Sequence, residues 1–414
     1  MTFELRPVLA DRADEAEAFD LLHKVDVSAF GDEPEPESLK ADRLVAELDR
    51  AVLAWDGDQP VGSIGVYSLD MSVPGGSVKT AGVTWVGVVP THRRRGVMSA
   101  MMNERHQAIY DAEQEPVAAL WASQSPIYAR YGYGVASRHL SAKIERRHGA
   151  MSRAPIDPSL RLLMVEPADD AELTQPVYDQ VRAQRPGMPA MNTSWHTWCV
   201  QDVKADREGA SKLKTVVVDS ADGPLGYARY AVKHAWDKGY ADGNVQIRQL
   251  AATTPASGAA LWRHLFSLDL FERVAGWNLP SDDPIQTWLD EPRHAQNQVS
   301  DALYVRLIRL DEALQQRTYS ADLDVVIEVL DPWAAWNTGR WHLSGGTEGA
   351  KCARTTRSAD VALDISALSA IYMGSTSLGE LFAAGWVDEH APGSVQKISQ
   401  AFSHSPAAWS PFVF

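Results

Sequence analysis

Cysteine is almost missing from this chain. Cys199 and Cys352 are the only two in 414 residues. They lie far apart, so neither a disulfide framework nor a zinc-ligand spacing is available, and a reducing cytoplasm fits. Positive charge is also scarce: 39 Lys and Arg stand against 54 Asp and Glu, a net charge of −15. That balance argues against a nucleic-acid partner and suits a cationic one. No uncharged run reaches about 18 residues, so no membrane span is expected. The opening MTFELRPVLADRADEAEAF has no apolar segment of the kind a secretory leader carries. There is no G-x-x-x-x-G-K-S/T loop and no Rossmann fingerprint, and no His, Cys, Asp or Glu spacing suggests a metal.

What is present is apolar and aromatic. Hydrophobic residues make up 45% of the chain, and there are 14 tryptophans, enough for real cores and for aromatic-lined clefts or interfaces. The length allows two or three domains. The densest signal is VTWVGVVPTHRRRGVMSAMM at residues 83–102. An apolar strand runs into Arg93, Arg94, Arg95 and Gly96, and then into helix formers. Strand, cationic turn and helix N-terminus together make a phosphate site, because the first N–H groups of a helix lack internal partners. Gly96 removes a Cβ where the backbone meets a ligand.

Along the first segment the pattern predicts a strand at residues 3–9 and a helix at 11–24 with Asp11 as N-cap. An acidic, proline-broken loop follows at 31–37, then strands at 51–55 and 61–69. After the cationic turn come a helix at 98–111 and a buried strand at 117–121. The run Ile127-Tyr128-Ala129-Arg130-Tyr131-Gly132-Tyr133-Gly134 follows, and residues 146–149 read as a linker. The second segment repeats the first weakly: residues 161–181 resemble 5–25, and Gly223 to Tyr227 resemble Gln59 to Ser63. Setting Gly258 on Gly96 also sets Leu250 on Val88, and Pro255-Ala256-Ser257 then stands where the arginines were. We expect two copies of one domain, the second without a phosphate site. The third segment starts near Asn297 with a strand at 302–310. It continues with strands at 321–329 and 352–356, Asp364 as a helix N-cap, and helices at 377–384 and 394–403. The tail, Pro411-Phe412-Val413-Phe414, is apolar where termini are usually polar. Either it packs at a boundary with its carboxylate in water, or it carries that carboxylate inward to meet a cation.

The core Arg93-Arg94-Arg95-Gly96-Val97-Met98 resembles the acetyl-CoA pyrophosphate loop of GNAT N-acetyltransferases, Q/R-x-x-G-x-G/A, with Met98 bulkier than the usual last residue. PTHRRRG at 90–96, IYARYGYG at 127–134, the degenerate second copy and the aromatic ending together resemble the enhanced intracellular survival (Eis) family. The resemblance covers essentially the whole chain. It implies an α+β fold class: tandem GNAT-like domains with mixed central sheets flanked by helices, then a sterol-carrier-protein-like α+β domain. The expected boundaries are 1–148, 149–296 and 297–414. It implies an N-acetyltransferase using acetyl-CoA as co-substrate, without a metal, and acting on primary amines of an aminoglycoside-like molecule. A protein-lysine acetyltransferase and a non-catalytic lipid- or CoA-binding protein are the alternatives. Tyr128 is then the general acid and the Phe414 carboxylate the general base. Val86, Gly87 and Val88 orient the acyl end. Arg94, Arg95, Gly96, Val97, Met98 and Ser99 hold the pyrophosphate, and Ser123 and Gln124 touch the cofactor. Asp26 and Trp85 are candidate substrate contacts, with Asp32, Glu33, Glu35 and Glu37 nearby. Family members can carry an acidic residue where this chain has Val413. The resemblance also implies a homohexamer in the cytoplasm.

Overall fold

Two long hairpin-rich sheets carry most of the chain, and each is built in the same strand order. The computed structural model describes residues 3–10, 14–31, 33, 35–166 and 169–414. They form two compact units: Met1–Ser137 with Ala302–Ser405 and Val413–Phe414, and Arg138–Asp301 with Pro406–Phe412.

In the first unit β1 (Glu4–Pro7), β2 (Val52–Asp56), β3 (Gln59–Val73) and β4 (Gly76–Val88) pair antiparallel in sequence order. Helix α1 (Glu15–Phe30) packs on them through Phe19, Leu22, Val25 and Ala29, a spacing that places one apolar stripe against the sheet. It starts later and ends later than its sequence pattern suggested. Asp14 caps it by accepting from the Ala16 N–H, and Asp11 lies outside the described residues. Helix α2 (Pro36–Val45) begins inside the expected loop at 31–37 and runs on through residues the sequence pattern left unassigned. Pro36 stands at its first turn, where a missing N–H costs nothing. After β4, helix α3 (Val97–Ala112) crosses to β5 (Val117–Trp121), which pairs parallel with β4.

The sheet is then completed from far along the chain. Strand β16 (Leu303–Leu307) inserts between β5 and β6 (Gly134–Val135), antiparallel to both. The sequence pattern had this strand opening the third segment. It goes to the first sheet because all five residues are buried, as a central strand with two covered faces requires.

The second unit repeats the plan. Its sheet runs β15 (Gln298–Asp301), β7 (Arg138–Glu145), β14 (Phe271–Pro280), β13 (Gly243–Ala252), β10 (Gly223–Lys233), β9 (Lys214–Ser220), β8 (Arg161–Val165). Helix α4 (Asp170–Arg182) stands where α1 does, and α6 (Pro255–Ser267) links the parallel pair β13–β14 as α3 links β4–β5. The helices α5 (Thr193–Cys199) and α7 (Ile285–Trp288) and a small hairpin, β11 (Trp236–Asp237) with β12 (Tyr240–Ala241), decorate it. Residues 146–148 are not a linker. They form a 3-10 turn continuing β7, with Arg146 bonded to the Leu268 carbonyl and to Asp269.

The remainder of the first unit is a five-stranded sheet in the order β19 (Gly349–Arg354), β18 (Gly339–Gly346), β17 (Leu323–Leu330), β20 (Val361–Asp364), β21 (Val387–Glu389). Helices α8 (Leu310–Gln315), α9 (Ile365–Ile371), α10 (Leu378–Ala383) and α11 (Ser394–Phe402) accompany it. Asp364 caps α9 by accepting from Ser366 N–H, as its position in the sequence predicts. Among the described residues, no helix is long and apolar enough to cross a membrane.

Candidate active site

The pairing of β4 with β5 runs only from Thr80↔Val117 to Gly82↔Ala119, yet β4 continues to Val88. Past Gly82 the two strands part, which leaves backbone groups of β4 on that side for something else to satisfy. Val86, Gly87 and Val88 lie on this parted stretch. Trp85 there has a positive φ of 54° at a break in the β3–β4 register between Ser63 and Gly65. Such a bulge re-aims a side chain. The Trp85 indole N–H donates to Tyr67 Oη at 3.0 Å, and its ring meets Phe19 and His23 of α1 edge-on. Asp26 comes to the same place: a Cβ added at Gly87 would lie 2.7 Å from the Ala29 methyl and 3.6 Å from Asp26 Oδ1. Asp26 and Trp85 are thus brought together beside β4. Glu33, Glu35 and Glu37 lie around the start of α2, and Asp32 lies outside the described residues.

The turn from β4 to α3 is shaped as an anion cradle. Arg94 (φ 61°) and Gly96 (φ 87°) are both left-handed, and Gly96 is the N-cap of α3 with no side-chain capping bond. The N–H groups of Val97, Met98 and Ser99 therefore open the helix without a cap and with no acidic residue in the first turn. A Cβ on Gly96 would meet nothing within 4 Å, so the positive φ, not crowding, asks for glycine. The three arginines do not share one role. Arg93 is spent on the protein, donating to the Val88 carbonyl at 3.3 Å and to the Ala29 carbonyl. Arg94 and Arg95 are exposed. His92 anchors the turn from below through Asp56 Oδ2 at 3.1 Å. Ser99 has its hydroxyl on Tyr131 Oη at 3.0 Å. Ser123 and Gln124 are exposed, between β5 and the 3-10 turn Ser125–Tyr131.

That turn carries Tyr128 and Tyr131, Tyr133 follows just past its end, and their surroundings separate the three. Tyr131 is bonded to Ser99. Tyr133 is bonded to His106 Nε2 at 3.0 Å, while the Trp333 indole N–H donates to His106 Nδ1 at 3.1 Å. An imidazole that accepts at Nδ1 carries its proton on Nε2, so His106 donates to Tyr133. Burial, with Arg306 nearby, holds His106 neutral, well below its ordinary pKa. Tyr128 is buried, at 4% exposure, and its phenol makes no hydrogen bond among the described residues. Burial, and secondarily Tyr131, push it up to about 12. Of the three, Tyr128 is the one whose phenol takes part in no hydrogen bond among the described residues.

Sequence reasoning missed what holds this turn. Arg306 of β16 and Asp331 form an ion pair at 2.8 Å with both side chains fully buried. Arg306 also donates to the Tyr131 carbonyl at 2.6 Å and lies against Gly132, where a Cβ would come 1.6 Å from its Nη1. Asp331 accepts in addition from the N–H groups of Trp333 and Ala334 and from Asn337. The signal was available: an arginine inside the apolar run LYVRL needs a buried partner.

Phe414 packs where β4 and β5 part. Its Cε2 would lie 3.3 Å from a Cβ on Gly82, beside Leu69, and the residue is 9% exposed.

Three domain families match in order: an acetyltransferase (GNAT) domain at residues 11–136, a second at 187–309 and a sterol carrier protein domain at 310–411. An uncharacterised N-acetyltransferase of Streptomyces avermitilis is 40% identical over 94% of this chain and 95% of its own. N-acetyltransferase Eis of Mycobacterium tuberculosis is 31% identical, over 94% of this chain and 95% of its own. The chain belongs to the Eis family of N-acetyltransferases. The crystal structure of Eis1 from Mycobacterium abscessus agrees over the full length of both chains, with a TM-score of 0.82 at 28% identity. A GCN5-related N-acetyltransferase from Anabaena variabilis, at 18% identity and a TM-score of 0.84 over both full chains, shares the fold. GNAT domains use acetyl-CoA as co-substrate, and the fold class expected from the sequence holds.

Within this Eis-family chain the second copy lacks the cradle, though not by the substitution the sequence alignment implied. Eight residues, 89–96, join β4 to α3, whereas two, 253–254, join β13 to α6. The arginine loop is deleted, and Thr254, not Gly258, is the N-cap. Its side chain accepts from Ser257 N–H at 3.1 Å in a reciprocal capping box. Gly258 lies inside the helix under Trp288, whose ring would be 3.2 Å from a Cβ there. A helix end satisfied by its own residues has less to offer an anion.

Proposed function

We propose that the chain acetylates a primary amine of a cationic, multi-amine substrate by direct transfer, at a site built on β4, α3 and the Tyr128 turn. The uncapped, doubly left-handed entry to α3, beside strands that part, carries this reading. The backbone N–H groups of Val97 to Ser99, with Arg94 and Arg95, suit a pyrophosphate, and Val86 to Val88 suit the pantetheine and acyl end. Acetyl-CoA supplies an acetyl group already activated as a thioester, so the protein need only place groups and move protons. Backbone donors on the parted strand favour charge developing on the acyl oxygen. Tyr128 gives its proton to the departing sulfur. The terminal carboxylate of Phe414 takes the proton from the attacking amine. Trp85 walls the acceptor pocket, and Asp26 draws in the cationic end. Val413 brings no second carboxylate to the tail, so we expect aminoglycosides to be weaker substrates than in relatives with an acid there. Comparing kcat/KM on an aminoglycoside and on a lysine peptide tests this choice of acceptor. We further propose a cytoplasmic homohexamer, which light scattering after gel filtration checks.

The deciding experiment is CoA release by two variants. Tyr128→Phe should lose about 10²-fold or more of kcat and keep the KM for acetyl-CoA. One Gly added after Phe414 should abolish turnover while acetyl-CoA still binds. Full activity of the extended protein would remove Phe414 from the chemistry.

A further inference from the structure

The second copy keeps a cavity at the place its cofactor cleft would occupy. Pairing of β13 with β14 ends at Ile247↔Gly276, although both strands continue. Leu250, Ala252 and the first turn of α6 then line a cavity of about 220 Å³, with Trp262, Trp288 and Trp409 in its wall. That volume is below the range of about 300–1,000 Å³ usual for drug-sized ligands, so the space suits a fragment-sized molecule. With the arginine loop gone, it has no phosphate site.

Two polar groups in the wall are buried and incompletely used. The Trp262 side chain is 1% exposed, and its indole N–H has no hydrogen-bond partner. Asp283 is 4% exposed; its Oδ1 accepts from the Ile285 N–H at 2.9 Å, and its Oδ2 takes no hydrogen bond among the described residues. The indole lies beside this carboxyl without closing a bond of ordinary geometry. Burial pushes Asp283 up to about 6, against the Ile285 N–H and Arg185, which lower it. Arg185, the one cation in the wall among the described residues, is already engaged with Asp282 at 2.7 Å and the Ala407 carbonyl at 2.6 Å. A buried carboxylate among tryptophan faces is the combination that recognises an organic cation, through ion pairing and cation–π attraction.

We infer that this cavity binds a small organic ammonium ion with an aromatic or apolar body, its charge against Asp283 and its body against Trp262, Trp288 and Trp409. The site is separate from the acetyl-transfer site and needs no acetyl-CoA. A molecule of the acceptor class, an amine, would thus have a second place on this chain that carries no transfer machinery.

Calorimetry of the full chain without acetyl-CoA, using 4-bromophenethylamine as probe and the neutral 2-(4-bromophenyl)ethanol as its isostere, tests this. The amine should bind saturably and at least about tenfold more tightly than the alcohol. Asp283→Asn should remove that preference, and Ala252→Leu, which fills the cavity, should abolish binding. Crystals of the unaltered protein soaked in the amine should show an anomalous bromine peak beside Trp288, a readout independent of how the variants fold. No saturable binding, equal affinity for the alcohol, or a bromine peak only elsewhere would overturn the inference.

Discussion

Tyr128 differs from its neighbours in what it lacks. Tyr131 and Tyr133 spend their phenols on Ser99 and His106, and Tyr128 spends its phenol on nothing described. A general acid must hold its proton until the transition state, and burial that lifts Tyr128 to about 12 keeps it protonated well above neutrality. The sign follows: the raised pKa moves any loss of acid function to higher pH. The kcat profile should therefore show no alkaline fall below about pH 10, the ordinary tyrosine value; a fall centred near 8 or 9 would point to a different acid. Arg306 is the second single residue on which much depends. Replacing it with Leu strands a fully buried Asp331, and breaking a buried pair in this way costs about 3–5 kcal/mol. Urea unfolding should show that loss, and Arg306→Leu with Asp331→Asn should recover part of it, because Asn still accepts from Trp333 and Ala334.

At the scale of elements, the contrast between α3 and α6 explains why one copy suits an anion and the other does not. Their sequences are both plausible helix starts, and what differs is the cap. Gly96 offers its helix end outward, and Thr254 closes its own. Gly96→Ala forces a Cβ into a left-handed conformation at a cost of about 1–2 kcal/mol, paid either in stability or in a relaxed turn. We expect the KM for acetyl-CoA to rise about three- to tenfold, with Arg94→Ala acting in the same direction and kcat little changed. Thr254→Ala should lower the unfolding free energy by about 1 kcal/mol without adding a second acetyl-CoA site by calorimetry. The strands and the helix after the arginine turn were legible because their apolar periodicity is strong and their ends are marked. Helix α2 was not legible, because its start is buried in an acidic run whose prolines read as a break, although Pro36 in fact opens the helix.

At the scale of the molecule, the first sheet takes a strand from beyond the second copy in sequence, and the second takes one from the stretch between the two copies. Strand β7 follows the first copy and pairs with β14, and β16 follows the second and pairs with β5. A chain truncated to residues 1–148 would keep β1 to β7 and lose β16. It would leave β5 with an open apolar edge and the Tyr128 turn without Arg306. Such a fragment should show no cooperative thermal transition by circular dichroism, and a sharp transition would mean that β16 is dispensable.

Residue order alone yields the parts list: an arginine turn between strand and helix, a tyrosine-rich run, a decayed repeat and an apolar tail. Local propensity and hydrophobic period act over a few residues, and those features are complete within a few residues. How the parts are used was set by the folded chain. It fixed which arginine serves the protein, which tyrosine's phenol is left without a hydrogen bond among the described residues, which sheet claims residues 303–307, and that a cavity survives beside Asp283. Each of those outcomes is settled by contacts between residues distant in sequence, where burial and pairing compete and periodicity carries no information.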